Sequence, residues 1–482
     1  MRRIGFRQRD RSGQDADAHF SSFPRKRESS AGSEVDSRFR GNDGRRADRR
    51  SRFILLAALA LAGCGRGDDK THIYLQRFFG ECGAEFGSST DVGKAEGECG
   101  IVTSMINRFE AENPDVVVDV NVVAWPGYPQ LTAQMAARDP PDLVTMHAGV
   151  ISDYAAKGLL EPVEPYLEKA GIGADSFTEA SRLGVTMGNR IYGLPWDTHG
   201  GLFHVNTALF ARAGLMRGGK PVLPNSPEEL IAQARQFQER TGKPYLIQSL
   251  VGDPAGAARN QYTYMMAQGA AVFPDARHIR LATPEGARVA DFFRRINAER
   301  LGTLNMDTPA AIAAFMNGEG GIYPTGTWMI GSFEKEAATP GRPLYKSYAV
   351  FPYPRLWGER LEFVGGHAWA VPARERSAKQ KDAIARFFRF MAAHIFDWAR
   401  TGHIPAFRAV LDDPRFKSLP HRANIALLGE IGRPLPSAVR RQSAIEGLVG
   451  EEMAAAVTGQ KPVEKALKDA DRRVNELLGE LD

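Results

Sequence analysis

The chain has 482 residues, of which 43% are hydrophobic and 25% charged, and its formal net charge is +5. This length predicts two or more domains, and the composition excludes a fibrous or mostly disordered protein. Residues 1–53 carry 15 of the 62 Lys and Arg but only 8 of the 57 Asp and Glu, a net of +7, so the rest of the chain has a net of −2. Because the excess positive charge is confined to this leader, the sequence predicts no nucleic-acid partner.

A short apolar run follows the basic leader. Residues 53–62 are ten consecutive apolar residues, too few for a bilayer span of about 20, and the basic flank is typical of a secretory signal peptide. The segment L-A-G-C that ends at Cys64 is similar to a bacterial lipobox, which implies acylation of Cys64 and a lipid anchor; a plain signal peptide is the alternative. We therefore treat residues 1–63 as a disordered leader plus a lipoprotein signal peptide.

Strands and helices alternate after the export signal. The patterns predict strands over 72–77, 116–123 and 143–146 and helices over 102–113 and 128–138, which indicates an α/β lobe with a largely parallel sheet. Further on, helices dominate. Ser226 and Glu229 form a capping-box pattern at the start of a helix over 227–241, and residues 378–394 and 462–481 have amphipathic spacing.

Cys82 and Cys99 remain in the exported part of the chain. A disulfide between them would close an 18-residue loop and contribute roughly 3 kcal/mol, and two free thiols are the alternative.

The chain lacks the common catalytic and metal-binding signatures. It has no G-x-S-x-G, H-E-x-x-H or C-x-x-C, and Pro221 replaces the hydroxyl residue that a P-loop would need after Lys220. His199 and His204 have no carboxylate or thiol at ligand spacing. The sequence therefore predicts a protein that is not an enzyme and has no metal site and no cofactor.

Four segments carry a family resemblance. They are residues 141–163 (P-D-L-V-T-M-H-A-G), 192–215 (Y-G-L-P-W-D-T-H-G-G), 313–328 (A-A-F-M-N-G-E-G-G-I-Y-P-T-G-T-W) and 364–373 (V-G-G-H-A-W-A-V-P-A). In this order they resemble the family 1 extracellular solute-binding proteins of ABC importers, the group that contains maltose-, trehalose- and glycerol-phosphate-binding proteins. The resemblance implies an α/β, two-lobed periplasmic-binding-protein fold of class II type, a cleft between the lobes and hinge closure around a ligand.

The resemblance also implies where the chain passes between the lobes. Crossover strands are expected near 194–205, 322–328 and 364–371. The corresponding boundaries are 64–197 for the first part of the N-lobe and 198–325 for the first part of the C-lobe. The second part of the N-lobe would be 326–368, and the second, mostly helical part of the C-lobe would be 369–482.

The same segments supply the candidate ligand-binding residues. A sugar presents apolar C–H faces edged by hydroxyls, so its pocket needs aromatic platforms and a few polar groups. The platforms are expected from indole and phenol rings, the hydrogen bonds from His and Asp, and close backbone approach from glycine. The candidates in these segments are His147, Trp196, Asp197, His199, Trp328, Gly366, His367 and Trp369. Outside them, the resemblance implies a stacking aromatic at Tyr262 or Tyr264, at the start of a helix before A-Q-G-A. Further candidates are Phe79 and Glu81 from the long loop 78–100 and Arg408 after I-P-A-F. Trp125 and Trp357 are interpreted as surface or packing residues and Trp398 as a core residue.

The resemblance implies a monomeric receptor that binds a sugar or oligosaccharide and delivers it to an ABC permease. The receptor would be a periplasmic lipoprotein, or a cell-surface one where no outer membrane exists. A binder of a glycerol-phosphate-type or other small polar solute is the main alternative. An exported glycosidase would need two carboxylates about 5–10 Å apart, for which Asp197 is the clearest candidate and Asp142 and Asp153 are less clear. A receptor coupled to a membrane sensor would have the same sequence features.

Overall fold

A computed structural model describes residues 69–252 and 254–481. The leader, the signal peptide and Cys64 lie outside the described residues, so the interpretations given for them stay predictions. Within the described ranges, no helix combines the length and the apolar character that crossing a membrane requires.

The strands are numbered in chain order. They are β1 (Thr71–Arg77), β2 (Val116–Val122), β3 (Leu143–His147), β4 (Thr186–Met187), β5 (Arg190–Ile191), β6 (Leu194–Pro195), β7 (Asp197–Asn206), β8 (Met216–Arg217), β9 (Lys220–Pro221), β10 (Ile322–Gly326), β11 (Tyr348–Pro352), β12 (Glu362–Gly365), β13 (His367–Ala370), β14 (Ile404–Pro405) and β15 (Gly432–Arg433).

The helices are named by their residues. The α-helices are Gly83–Phe86, Gly97–Glu112, Tyr128–Ala136, Ala148–Ala155, Glu164–Ala170, Glu179–Val185, Thr207–Arg212, Pro227–Thr241, Ala255–Ala267, Pro284–Ala298, Thr308–Met316, Ile330–Ala338, Ala378–Ala393, Ile395–Ala399, Arg408–Asp412, Pro414–Ser418, Arg422–Ile425, Leu428–Ile431, Gln442–Val457 and Val463–Gly479. Short 3-10 turns cover Val92–Lys94, Ala174–Ser176 and Thr327–Met329.

The first lobe is built on a five-stranded sheet in the order β2-β1-β3-β13-β6. Strands β2, β1 and β3 run in parallel, and β13 returns antiparallel between β3 and β6. The apolar side chains of these strands pack against helices Gly97–Glu112 and Ala378–Ala393 in one continuous core. The predicted α/β lobe with a largely parallel sheet is therefore confirmed.

The second lobe is organised around the long strand β7. Strands β10 and β11 pair with the second half of β7 from its two sides, and β12 and β14 pair with its first four residues. A second core joins this sheet to helices Ala255–Ala267, Pro284–Ala298, Gln442–Val457 and Val463–Gly479. This lobe accounts for the helical character of the C-terminal sequence.

Three segments of the described chain pass between the two sheets. The first crossover joins β6 to β7, and the second joins β12 to β13. The third runs from helix Ile395–Ala399, whose Trp398 lies in the first core, to β14, which pairs with β7. The crossovers expected near 194–205 and 364–371 are confirmed. The one expected near 322–328 is wrong, because β10 stays in the second sheet along β7 and the third crossover lies after Ala399.

The second half of the predicted domain boundaries needs the same correction. Residues 326–368 were expected in the N-lobe, but β11 and β12 in this range belong to the second sheet. The chain returns to the first lobe only at β13 and leaves it after helix Ile395–Ala399. The range 369–482 is therefore divided between the lobes, since its last two helices pack in the second core. The error follows from treating β10 as a crossover.

The long loop after β1 is closed by a disulfide between Cys82 and Cys99, whose Cα atoms lie 6.1 Å apart. Cys82 precedes the short helix Gly83–Phe86, and Cys99 lies in the first turn of helix Gly97–Glu112. This helix begins several residues before the predicted position 102. The disulfide thereby fixes the helix start, where Glu98 points toward the third crossover and contacts His403.

The buried carboxyl of Glu362 gives the fold a pH-dependent weakness. Burial raises the pKa of Glu362 well above its usual range, against the opposing effect of the Tyr353 backbone N–H. A raised folded-state pKa means that the folded chain binds a proton which the unfolded chain has released, so this group lowers stability as pH rises above about 4.5. We expect the stability of Glu362→Gln relative to the unchanged protein to increase with pH, by at most about 1.4 kcal/mol per pH unit.

Chemical unfolding at several pH values between about 5 and 8 measures this margin. The control is Glu359→Gln, because Glu359 is exposed three residues away. A margin for Glu362→Gln that is constant with pH would contradict the prediction.

Candidate functional site

The carboxyl ends of the parallel strands carry an aromatic group in the first lobe. Phe78 follows β1, Trp125 follows β2 and His147 ends β3. The Phe78 and His147 rings are stacked with centroids 5.0 Å apart, and the Trp125 ring meets His147 edge-on at 5.8 Å. Trp125 is 72% exposed. Ligands of open α/β sheets bind at this edge, so the group is in the position expected for a binding site.

Tyr128 fixes the orientation of His147. The Tyr128 hydroxyl accepts from the His147 backbone N–H at 2.9 Å and lies 2.6 Å from His147 Nδ1. Burial lowers the pKa of His147 well below its usual range, and the neighbouring imidazoles of His367 and His199 lower it further. A neutral ring that accepts the Tyr128 proton at Nδ1 carries its own proton on Nε2. His147 therefore offers one N–H donor.

The second lobe faces this group with Trp328 and His199. Trp328 is 37% exposed in the turn after β10, and its ring meets His199 edge-on at 5.8 Å. The Arg259 guanidinium lies 5.9 Å from the Trp328 ring centroid and pairs with Glu446. A Cβ on Gly326 would come within 2.0 Å of the Trp328 ring, so only glycine there leaves room for this orientation.

Together these rings form a continuous row across the two lobes. The row consists of Trp125, His147, His199 and Trp328, and the His147 and His199 centroids lie 6.1 Å apart. Its two outer members are exposed indoles and its two inner members are partly buried imidazoles. We call it the junction row.

A buried carboxylate lies beneath the junction row. Asp197, the first residue of β7, accepts hydrogen bonds from the His367 backbone N–H at 3.0 Å and from the Trp398 indole N–H at 2.7 Å. His367 Nδ1 lies 2.9 Å from the same carboxylate, His199 Nδ1 3.6 Å and His403 Nδ1 3.8 Å. We call this group the Asp197 network.

The charges in this network balance each other. Burial alone would raise the pKa of Asp197, but the imidazoles of His367, His403 and His199 outweigh it and hold this pKa well below its usual range. Burial alone would lower the pKa of His403, but the carboxylates of Asp197 and Glu98 outweigh this effect and raise it. Burial lowers the pKa of His199 to about 4. The carboxylates of Asp197 and Glu98 therefore favour the charged form of His403 more than that of a free imidazole, and His199 is neutral at neutral pH.

Several predicted site residues meet at this junction. His147, His199 and Trp328 belong to the junction row, and Asp197 and His367 lie beneath it. Phe79 is almost fully buried against Trp196, His367 and Trp398, so its ring supports the network from below.

Two of the predicted tryptophan platforms are core residues. Trp196 and Trp369 are buried in the first core, with ring centroids 4.5 Å apart, and Trp196 stacks on Trp398. The expected ligand contact of Trp196 and Trp369 is wrong for this structure because neither ring reaches the surface. Trp398 is a core residue, as expected, although its N–H serves Asp197.

Further predicted ligand-binding residues lie away from the junction row and the Asp197 network. Tyr262 and Tyr264 are in the middle of helix Ala255–Ala267 and are buried in the second core, so their rings are not available for stacking on a ligand. Arg408 is exposed and donates to the Phe177 carbonyl, and the Glu81 side chain is exposed on the loop after β1. For these two residues a ligand contact stays a prediction.

Gly366 serves a different purpose from the expected one. A Cβ at this position would lie 2.4 Å from the Asp197 carbonyl oxygen, and a Cβ on Gly365 would lie 2.6 Å from His199 Nε2. Both glycines therefore let two crossovers approach each other closely. The close backbone approach predicted for Gly366 is present, but its partner is the chain itself.

Sequence reasoning missed Trp125, Tyr128, Arg259, His403 and Glu98. Trp125 was interpreted as a surface or packing residue, and its position just after a parallel strand was the available signal. His403 lies in the third crossover, which was not predicted, and the position of Glu98 depends on the disulfide-bound helix start.

The buried position of Trp369 leads to a direct test. We expect Trp369→Phe to lower the free energy of unfolding by about 1–3 kcal/mol, because the smaller ring leaves a cavity against Trp196 and Phe387. Ligand affinity should stay within about twofold, since the ring is not at the surface. Chemical unfolding and calorimetry measure the two quantities. A large loss of ligand affinity in a stably folded Trp369→Phe variant would show that Trp369 contributes to ligand binding after all.

The fold and the junction define a two-lobed binding protein with a hinge of three crossovers. The sequence pattern of the bacterial extracellular solute-binding proteins matches residues 100–394, more than half of the chain. The chain therefore belongs to this family. Binding proteins of Brucella abortus strain 2308 and Brucella suis biovar 1 strain 1330 are each 24% identical to it over 235 residues, 48% of this chain and 55% of the relative. The chain thus spans about half the length of the curated relatives it matches.

Solved structures share the fold over most of the chain. The cyclic alpha-maltosyl-1,6-maltose binding protein of Arthrobacter globiformis has a TM-score of 0.69 and 19% identity, over 85% of this chain and 100% of its own. The sugar-binding protein of Xanthomonas citri has a TM-score of 0.71 and 17% identity, over 85% and 98%. A substrate-binding protein of Listeria monocytogenes in complex with cycloalternan has a TM-score of 0.65 and 20% identity, over 85% and 100%. These likenesses establish the two-lobed fold.

Proposed function

We propose that this protein binds a sugar or oligosaccharide between its lobes and delivers it to an ABC permease for import. The observation that carries the proposal is the junction row, in which an exposed tryptophan of each lobe flanks two histidines. Indole faces suit the C–H faces of a pyranose ring, and N–H donors suit its hydroxyls.

The electrostatics of the junction favour a neutral ligand. His147 and His199 are neutral because burial lowers the pKa of both. Arg259 forms an ion pair with Glu446, and the Asp197 carboxylate accepts hydrogen bonds from the His367 backbone N–H and the Trp398 indole N–H. A phosphorylated solute would need uncompensated cations, so this balance supports a sugar over a glycerol-phosphate-type ligand.

Structural relatives add support for the ligand class. Solved proteins of the same fold include a cyclo/maltodextrin-binding protein complexed with maltotetraose and a chitin oligosaccharide binding protein. The three crossovers form a hinge at which closure around a ligand creates a distinct closed form for a permease to recognise. We further propose export and attachment to a membrane through acylated Cys64.

A glycosidase is not favoured by the same site. It would use two carboxyl groups that reach the substrate. The Asp197 side chain is fully buried beneath the junction row, and Glu98 is bound to His403.

Calorimetric titration of the purified protein tests the proposal. The panel contains mono-, di- and trisaccharides, longer maltooligosaccharides and glycerol phosphodiesters. We expect one-to-one binding of at least one sugar, which is recovered unchanged after the titration. Binding confined to the phosphodiesters, or consumption of the sugar, would contradict the proposal.

A further inference from the structure

The Asp197 network lies where all three crossovers meet. Asp197 and His199 come from the first crossover, His367 from the second and His403 from the third. One ligand atom from each of these four residues falls within 4.8 Å of all the others. We propose that these residues form a binding site for a single divalent transition-metal ion, for which Zn²⁺ is the best fit. This proposal goes beyond sugar binding and does not depend on it.

The donor set is one that zinc prefers. Three imidazole nitrogens and one carboxylate oxygen are common zinc ligands, and four ligands complete a tetrahedral site. In a tetrahedral site with bonds near 2.0–2.1 Å, the ligand atoms lie roughly 3.3 Å apart. The separations from the Asp197 carboxylate to His367, His199 and His403 are 2.9, 3.6 and 3.8 Å and therefore bracket this value. Small side-chain shifts are sufficient to bring the four atoms around one ion.

The surroundings orient the ligands in the way that metal sites require. Glu98 binds His403 Nε2 at 2.6 Å, so His403 Nδ1 faces the interior of the cluster, 3.4 Å from the Thr327 hydroxyl and 3.8 Å from the Asp197 carboxylate. A carboxylate behind a ligating histidine is a common arrangement in zinc sites. Asp197 is itself held by the Trp398 N–H and the His367 backbone N–H.

His199 provides an independent indication. Its Nδ1 atom is buried and has no hydrogen-bond partner among the described residues, although it lies 3.6 Å from Asp197. A buried polar atom without a partner is costly, and a metal ion at the centre of the cluster would satisfy it.

A bound ion would tie the three crossovers together. Because each crossover contributes at least one ligand, the ion would oppose separation of the strands at the hinge. The site would thus connect metal occupancy to lobe movement beneath the junction row.

The test uses the purified chain without an affinity tag, stripped with EDTA and titrated with Zn²⁺ by calorimetry. We expect one ion per chain and a higher melting temperature with the ion bound. His199→Gln and His403→Gln should each weaken Zn²⁺ binding by about a hundredfold or more, and Glu98→Gln by about 10–100-fold. The matched control is His278→Gln, because His278 is exposed and pairs only with Asp275 in the described contacts. Its Zn²⁺ affinity should be unchanged.

Cobalt substitution reports the geometry. Four-coordinate Co²⁺ gives intense visible absorption, which should appear in the unchanged protein and disappear in His199→Gln. His403 is deeply buried, so melting curves in EDTA are used to check that His403→Gln is folded. His199 is partly exposed, and His199→Gln therefore provides the decisive comparison. Failure to bind Zn²⁺, or equal binding by His199→Gln, would overturn the proposal. A sugar titration in EDTA, where no metal is bound, tests the proposed sugar binding independently of the metal site.

Discussion

Replacing Trp125 or Trp328 with alanine is expected to weaken sugar binding by about ten- to a hundredfold, while the fold stays intact. Each indole is exposed at one end of the junction row, so its removal takes away a stacking face but little core packing. The double variant should lose more affinity than either single one, because the two rings belong to different lobes. Calorimetry with the best sugar of the panel measures the loss, and thermal melting checks the fold.

Two further variants sharpen this comparison. Tyr74→Ala removes an aromatic ring that is 50% exposed on β1, outside the junction row, and should leave affinity within about twofold. Trp125→Phe keeps a smaller stacking face and should retain part of the affinity that Trp125→Ala loses. Unchanged affinity in both Trp125→Ala and Trp328→Ala would remove the junction row from the binding site.

Local sequence signals predicted much of the secondary structure. The helix Pro227–Thr241 begins and ends as expected, because Ser226 accepts from the Glu229 backbone N–H and Gly242 ends the helix in the left-handed region. The Val-rich strand β2 and the buried strand β3 also occur within one residue of their predicted bounds. In these segments the deciding interactions are between residues close in sequence.

The corrections concern contacts between residues distant in sequence. The family resemblance implied a crossover at β10, yet the register of β10 along β7 keeps it in the second sheet. Trp369 and Trp328 are both tryptophans in family segments, but β13 is covered on both faces whereas the turn after β10 is open. No local pattern distinguishes the two cases.

The histidines of the Asp197 network show the same limit. His199, His367 and His403 are far apart in the chain, and none has the spacing of a metal motif. Their proximity results from three crossovers that converge at one point. A sequence search for metal ligands at fixed spacing could not find this group.

Asp197→Ala is expected to lower the free energy of unfolding by about 3–5 kcal/mol, measured by chemical denaturation in EDTA so that bound metal does not contribute. The variant leaves the Trp398 N–H and the His367 backbone N–H buried without their acceptor, and it removes a carboxylate that raises the pKa of His403. Leaving such buried donors unpaired costs more than the hydrogen bonds themselves contribute.

The neighbouring residue Thr198 separates this effect from general disruption of β7. Its hydroxyl is buried and has no hydrogen-bond partner among the described residues, so Thr198→Val removes an unsatisfied polar atom at nearly constant shape. We expect Thr198→Val to be neutral or stabilising. If Asp197→Ala also left the free energy of unfolding nearly unchanged, the donors of Asp197 would have found water or other acceptors in its absence. The carboxylate would then not organise the hinge. A large loss at Asp197 alone would mean that the three crossovers are held together by one buried charge beneath the junction row.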